Sequence, residues 1–170
     1  MKYLEAKEGS IFFIPLFLPN GIKENLKGYG RYKFEEKGPY AFGRLIEDGK
    51  SLGHLIEIFN YVGAIPNEYS VIIDSGRMFA PVHTTMGFQK KRYRFIFESM
   101  AYDKEIDSNY KEIGFRLANE IWKGGNVIKN YSKEDWKKYD DSILYPPTQL
   151  ENKIREHIDM KVDLKESEIM

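Results

Sequence analysis

The chain holds no cysteine. That one absence removes disulfide staples, thiolate metal sites and a cysteine nucleophile together. It also fits a reducing compartment. Neither sign of charge is in excess: 26 Lys and Arg face 26 Asp and Glu. A protein that tracks phosphates usually carries a basic surplus, so no nucleic acid is expected as a partner on charge grounds. Long apolar runs are scarce. The one worth weighing, "SIFFIPLFLP" over 10–19, falls well short of the ~20 residues that a membrane-crossing helix takes. Glu5 and Glu8 precede it, where a secretory leader would be basic. Pro15 interrupts it and no Ala-x-Ala follows. It reads as a buried strand, and no membrane association is expected.

Chemical motifs are equally sparse. The three histidines, His54, His83 and His157, stand singly, without the His-x-x-x-His spacing that puts two imidazoles on one helix face. No metal or other cofactor is therefore expected. Gly28-Tyr29-Gly30 is followed by neither a third glycine at dinucleotide spacing nor a phosphate-loop lysine.

The stretch "VIIDSGRMFAPVHTT" over 71–85 looks most like chemistry. It brings Asp74, Ser75 and His83 within ten positions. A serine hydrolase needs those residue types in hydrogen-bond reach. It also commonly needs a Gly-x-Ser-x-Gly elbow, and Ser75 has no glycine two residues earlier. Asp-Ser-Gly is ordinary turn composition, so a turn is the preferred reading.

What is present is a β-rich first half. "SIFFIPLF", "YAFGRLIED" and "GHLIEIFNYV" read as strands, with Asp48-Gly49 as a turn between the last two. In the third run Leu55, Glu57 and Phe59 share one face, and Ile56 and Ile58 the other. Gly43 inside "AFGRL" points to a bulge or a close backbone approach. "EYSVII" and "RYRFIFES" read as further strands. In the second of these Tyr93, Phe95 and Phe97 form one face, and Arg92 and Arg94 stand on the other. "ANEIWKGGNVIKNY" reads as a hairpin turning at Gly124-Gly125.

The end of the chain turns helical. "SKED" at 132–135 resembles a capping box, with Trp136 and Tyr139 three apart. "PPTQLENKIREHI" gives a clearer signal. Thr148 is placed as the cap, with Glu151 three residues on. Leu150, Ile154 and Ile158 make an apolar stripe, and Glu151 can pair with Arg155. The reading is one α+β domain over 1–160: a twisted, mostly antiparallel sheet or partial barrel with one or two C-terminal helices packed on it. A charged tail follows over 161–170. Residues 19–38, with Tyr29, Arg31, Tyr32 and Phe34, form an unusually long connection, which suggests function or disorder.

The order of these pieces resembles the immunity protein 26 family of bacterial polymorphic toxin systems. Its members open with a Gly-x-x-Phe-x-Ile-Pro-Leu strand, matched by Gly9, Phe12, Ile14, Pro15 and Leu16. A Tyr-Ala-x-Gly-Arg strand follows, matched by Tyr40, Ala41, Gly43 and Arg44. A Ser-Gly-Arg-Trp turn is similar to Ser75-Gly76-Arg77-Met78. A late helix is similar to "QLENKIREHI", with Leu150, Glu151 and Ile154 in matching places. The departures are the long 19–38 segment, Met78 for tryptophan and Gln149 for histidine.

The resemblance implies a cytoplasmic, non-catalytic protein that binds a cognate toxin and occludes it. The residues expected at that interface are Tyr29, Arg31, Tyr32, Phe34 and Arg77. Gly9, Phe12, Pro15, Tyr40, Gly43, Arg44 and Glu151 are expected to be structural. Two alternatives stay open. One is a nucleic-acid-binding sheet using Lys90, Arg92 and Arg94 with their neighbouring aromatics. The other is a hydrolase built on Asp74, Ser75 and His83.

Overall fold

The computed structural model describes residues 2–18, 28–49 and 52–169, with side chains described as far as Asp159. The fold is α+β. A six-stranded sheet runs in the order β5-β1-β2-β3-β4-β9, and a three-stranded sheet in the order β6-β7-β8. β1 (Ile11–Pro15), β2 (Tyr40–Gly49) and β3 (Gly53–Gly63) form its antiparallel centre. β5 (Arg94–Phe97) pairs with β1, and β4 (Val82–Thr84) with β3. β9 (Leu144–Tyr145) joins β4 in parallel. The sheet stays open and does not close into a barrel.

β1 is buried throughout, which explains its unbroken apolar sequence. A strand covered on one face alternates; a strand covered on both does not. Phe12 and Ile14 point into one core with Ile56, Ile58, Tyr93, Phe95, Leu150 and Ile154. Ile11 and Phe13 point into another, with Tyr29, Phe34, Tyr40, Phe42 and Phe59. α3 (Pro147–Ile169) covers the first face through the expected stripe: Leu150 and Ile154 are fully buried, and Ile158 packs at the margin.

Two family-motif glycines are required by contact. The pairing of β2 with β3 shifts register between Ala41 and Gly43, as expected of a bulge. A Cβ on Gly43 would stand 2.5 Å from the Phe12 ring and 2.8 Å from the Glu57 carbonyl. Gly9 has φ +88°, and a Cβ there would meet the Tyr102 side chain at 2.4 Å. Pro15 closes β1, where a missing N–H costs least. Tyr40 opens β2, fully buried, and its hydroxyl donates to the Glu35 carbonyl.

The structure corrects several element assignments. "EYSVII" is not a strand: Ser70–Asp74 is a one-turn helix, α1, with Ile72 buried and Val71 exposed. Three consecutive apolar residues carry too little periodicity to separate the two. The "SKED" box exists, with Ser132 and Asp135 bonded reciprocally. It starts only a 3-10 turn, Lys133–Lys137, which buries Tyr139 and leaves Trp136 exposed.

Thr148 does not cap α3. Pro147 is already helical, a position that suits proline because its missing N–H has no partner in the first turn anyway. The hairpin of β7 (Glu120–Lys123) and β8 (Asn126–Asn130) is present, joined by β6 (Gly114–Leu117). The outer edge of β6 is covered by Asp140–Ser142, through bonds from Arg116 N–H to the Asp140 carbonyl and from Ser142 N–H to the Arg116 carbonyl. α2 (Lys104–Asp107) connects the two sheets, its Asp103 cap accepting two backbone N–H bonds. The backbone of the charged segment after Met160 continues α3 to Ile169.

Candidate functional site

Glu57 is the one carboxylate in an otherwise apolar centre of β3, and it is 2% exposed. An ionised carboxylate survives there only if its lone pairs are taken up. Arg44 on the neighbouring strand donates Nε to Oε1 at 2.7 Å. Arg77, just past the Ser-Gly turn, donates Nε and Nη2 to Oε2 at 2.9 and 2.6 Å. Ser108 adds its hydroxyl at 2.6 Å. The guanidiniums also tie down the C-terminal end of α2: Arg44 reaches the Asp107 carbonyl and Arg77 the Ser108 carbonyl. The Arg44 guanidinium lies 4.9 Å from the Tyr102 ring centre. Burial pushes the Tyr102 hydroxyl up to about 12, so it stays protonated beside Ser108. The Arg44 and Arg77 motif positions thus belong to one polar cluster that fastens β2, β3 and the α2 connection.

A second cluster holds the helix. Arg92 and Glu151 are 1% and 0% exposed at the side chain. Arg92 gives Glu151 a two-point contact through Nε and Nη2. Tyr93 adds its hydroxyl at 2.9 Å, and Arg92 Nη1 donates to the Tyr29 hydroxyl at 2.6 Å. Burial alone would pull Arg92 down, but Glu151 outweighs it and holds the guanidinium above its usual range. Burial, then the Glu151 charge, push the Tyr93 phenol well up, keeping it a donor. Glu151 therefore spends its carboxylate on Arg92 and Tyr93. Its approach to Arg155 is 4.0 Å.

The cationic side of "RYRF" does not face solvent. Arg92 lies inside, and Arg94 is 9% exposed. Arg94 donates to the carbonyls of Lys91, Tyr29 and Tyr32, and its guanidinium lies 4.6 Å from the Phe34 ring centre. The sheet is covered on both faces here, so both strand faces are interior.

The connection at 19–38 is described from Gly28 onward; residues 19–27 lie outside the described residues. Of its four residues expected at an interface, two are buried. Tyr29 and Phe34 are 7% exposed and belong to the core. Arg31 is exposed and Tyr32 is 42% exposed, its ring 4.6 Å from Phe34. Tyr29→Ala is accordingly expected to lower stability by about 2 kcal/mol, through lost ring burial and an orphaned Arg92 donor. Thermal denaturation checks this, and an unchanged melting temperature would contradict the packing.

The Asp74, Ser75 and His83 arrangement is not assembled. The Ser75 hydroxyl donates to the Ile72 carbonyl at 2.6 Å and accepts from Tyr61 N–H at 2.9 Å, which locks the turn after α1. The His83 ring faces Phe115, 4.9 Å between centres, in a cavity shared with Glu47, Tyr110 and Trp122. Burial holds its imidazole below the usual range. Among the described residues, no group of three metal-ligating side chains converges, and no helix is long and apolar enough to cross a membrane.

Ser108, Tyr102 and the buried role of Glu57 were missed by sequence reasoning. One signal was available: a lone Glu inside an apolar strand that is flanked in sequence by motif arginines.

The profile of one family, Immunity protein 26, matches residues 7–123. The match takes in the whole Glu57 cluster and Arg92, and stops before Glu151. No curated protein and no solved structure matches the chain significantly.

Proposed function

The chain belongs to the immunity protein 26 family, and from that premise we propose that it binds a cognate bacterial toxin and blocks it stoichiometrically, without catalysis, in the cytoplasm. The family match carries the reading. Support comes from how the motif residues are used: Gly9 and Gly43 permit close packing, and Arg44 and Arg77 neutralise Glu57. They build a rigid scaffold of the kind that presents a preformed surface. The nucleic-acid alternative loses its main support, because Arg92 and Arg94 are buried.

The partner-facing residues assigned here are the exposed Arg31 and Tyr32, with Phe17, 39% exposed, whose ring lies 6.5 Å from that of Phe34. Tyr32 rests on the buried Phe34, so its ring is held in place before any partner arrives. An aromatic and an arginine on a rigid base are the usual anchors of tight interfaces. Tyr29 and Phe34 support this surface from below, and Arg77 lies at a separate cleft.

Two tests follow. Expression of the gene product encoded next to this chain should arrest cells, and co-expression of this chain should restore growth. Continued arrest would count against the reading. Replacing Arg31 and Tyr32 together by alanine should weaken the complex by about 2 kcal/mol or more, roughly thirtyfold, on the scale of interface hot spots. The melting temperature should fall by only about 2–4 °C, because the Tyr32 ring also packs on Phe34. Unchanged affinity would remove this loop from the interface.

A further inference from the structure

A cleft of about 690 Å³ opens where the β4–β9 edge of the large sheet meets β6 and β7 of the small sheet. Its walls include Phe79, Pro81, Phe115, Tyr139, Ile143 and Tyr145. Four cations line it: Arg77, Lys123, Lys138 and Lys153. Their partners differ. Lys123 is paired with Glu112 at 2.8 Å. Arg77 shares Glu57 with Arg44, so two guanidiniums face one carboxylate and one positive charge is left over. Arg77 is the more accessible of the two, 31% exposed against 4% for Arg44. Among the described residues Lys138 and Lys153 form no close ion pair, although Lys138 lies near enough to Glu112 for its charge to be felt there. The Lys153 ammonium lies 4.8 Å from the Phe79 ring centre and 5.7 Å from that of Tyr145; the Lys138 ammonium lies 5.5 Å from that of Tyr139.

Three carboxylates also line the cleft. Glu112 and Asp141 are spent on Lys123 and Arg116, and Asp140 stands beside them. Counting Arg44, Arg116 and Glu57 just behind the wall, six cations face four carboxylates in a chain whose total charge is zero. The local surplus is real but small. A phosphodiester backbone would have to pass the three acids, so the cleft suits a sparser anion with apolar side chains between its charges.

We propose that this cleft receives an acidic, partly apolar segment of a partner protein, with carboxylates at Lys138, Lys153 and Arg77 and an apolar side chain between Phe79 and Tyr139. That the partner is a toxin rests on the immunity reading; the chemistry of the segment does not.

The test uses a fluorescein-labelled peptide, Glu-Trp-Glu-Glu-Leu-Glu, its glutamine counterpart and a ten-residue thymidine oligonucleotide. Fluorescence anisotropy is read at low salt, where surface electrostatics are least screened. The intact chain should bind the acidic peptide saturably and the glutamine peptide at least tenfold more weakly. The double variant Lys138→Glu, Lys153→Glu alters an exposed and a half-buried side chain. It should lose at least tenfold in affinity while still unfolding cooperatively, with a melting temperature lowered by no more than a few degrees for the lost ring contacts. Absence of saturable binding by the intact chain overturns the proposal. So does equal binding by a folded double variant, or displacement of the peptide by an equal concentration of the oligonucleotide.

The same variant separates this proposal from the family reading. A complex with the neighbouring gene's product that forms equally well with intact and double-variant chain overturns the cleft proposal and leaves the immunity reading standing. If the intact chain forms no such complex, the immunity reading fails, and the peptide titration alone decides the cleft.

Discussion

Glu151→Ala is expected to destabilise the protein by about 3–5 kcal/mol, the range for removing one partner of a buried ion pair. The size of the effect distinguishes two roles. A carboxylate that only completes a helix-capping box is worth about 0.5–2 kcal/mol. A carboxylate that neutralises a fully buried guanidinium is worth more, because its loss leaves Arg92 charged in the interior. Arg92, Tyr93 and Glu151 are all within 1% of full burial, and the three are joined directly. Total stabilities of domains are about 5–15 kcal/mol, so this substitution brings the fold near its threshold. Denaturant titration gives the number. A loss below about 1 kcal/mol would mean that water reaches Arg92 or that α3 is not held there. Glu151→Gln keeps the shape and drops the charge, and should recover only part of the loss.

Glu57→Ala is expected to match that effect, again about 3–5 kcal/mol, because it leaves Arg44 and Arg77 facing each other without an anion. The asymmetry within the cluster is the sharper forecast. Arg77→Ala removes the surplus cation and leaves a one-to-one pair of Arg44 and Glu57. With the Arg77 side chain 31% exposed, its loss should cost about 1 kcal/mol. A measured order in which Arg77→Ala is worse than Glu57→Ala would contradict the charge count drawn from the geometry.

How far the fold was legible follows from how local each signal is. β1, β2 and β3 are long runs of β-branched and aromatic residues, and pleat alternation carries straight into the structure: Phe12 and Ile14 serve one core, Ile11 and Phe13 the other. The α3 stripe is equally local. β4 and β9 were not legible. They are three and two residues long, and pair only because the large sheet supplies an edge.

The two alternative sites, on "RYRF" and on Asp74, Ser75 and His83, failed in an instructive way. Basic residues between aromatics in "RYRF" look like a binding surface when one face of a strand is taken to be wet. Whether that face is wet depends on the 28–38 segment and Glu151, which lie about sixty positions away in each direction. Likewise, Ser75 and His83 are close in sequence, but Ser75 ends α1 and His83 lies across β4 facing the small sheet. The family motif, in contrast, marked positions whose environment is severe: Gly43 beneath Phe12, and Arg44 and Arg77 on Glu57.

The central claim is neutralisation by binding, and its most direct test is a titration of the neighbouring gene's product with purified chain, reading the partner's residual activity against molar ratio. The account predicts a linear fall that ends at one equivalent and a one-to-one complex that survives gel filtration. Full activity at several equivalents, or complete loss at a small fraction of one equivalent with no complex recovered, would contradict it.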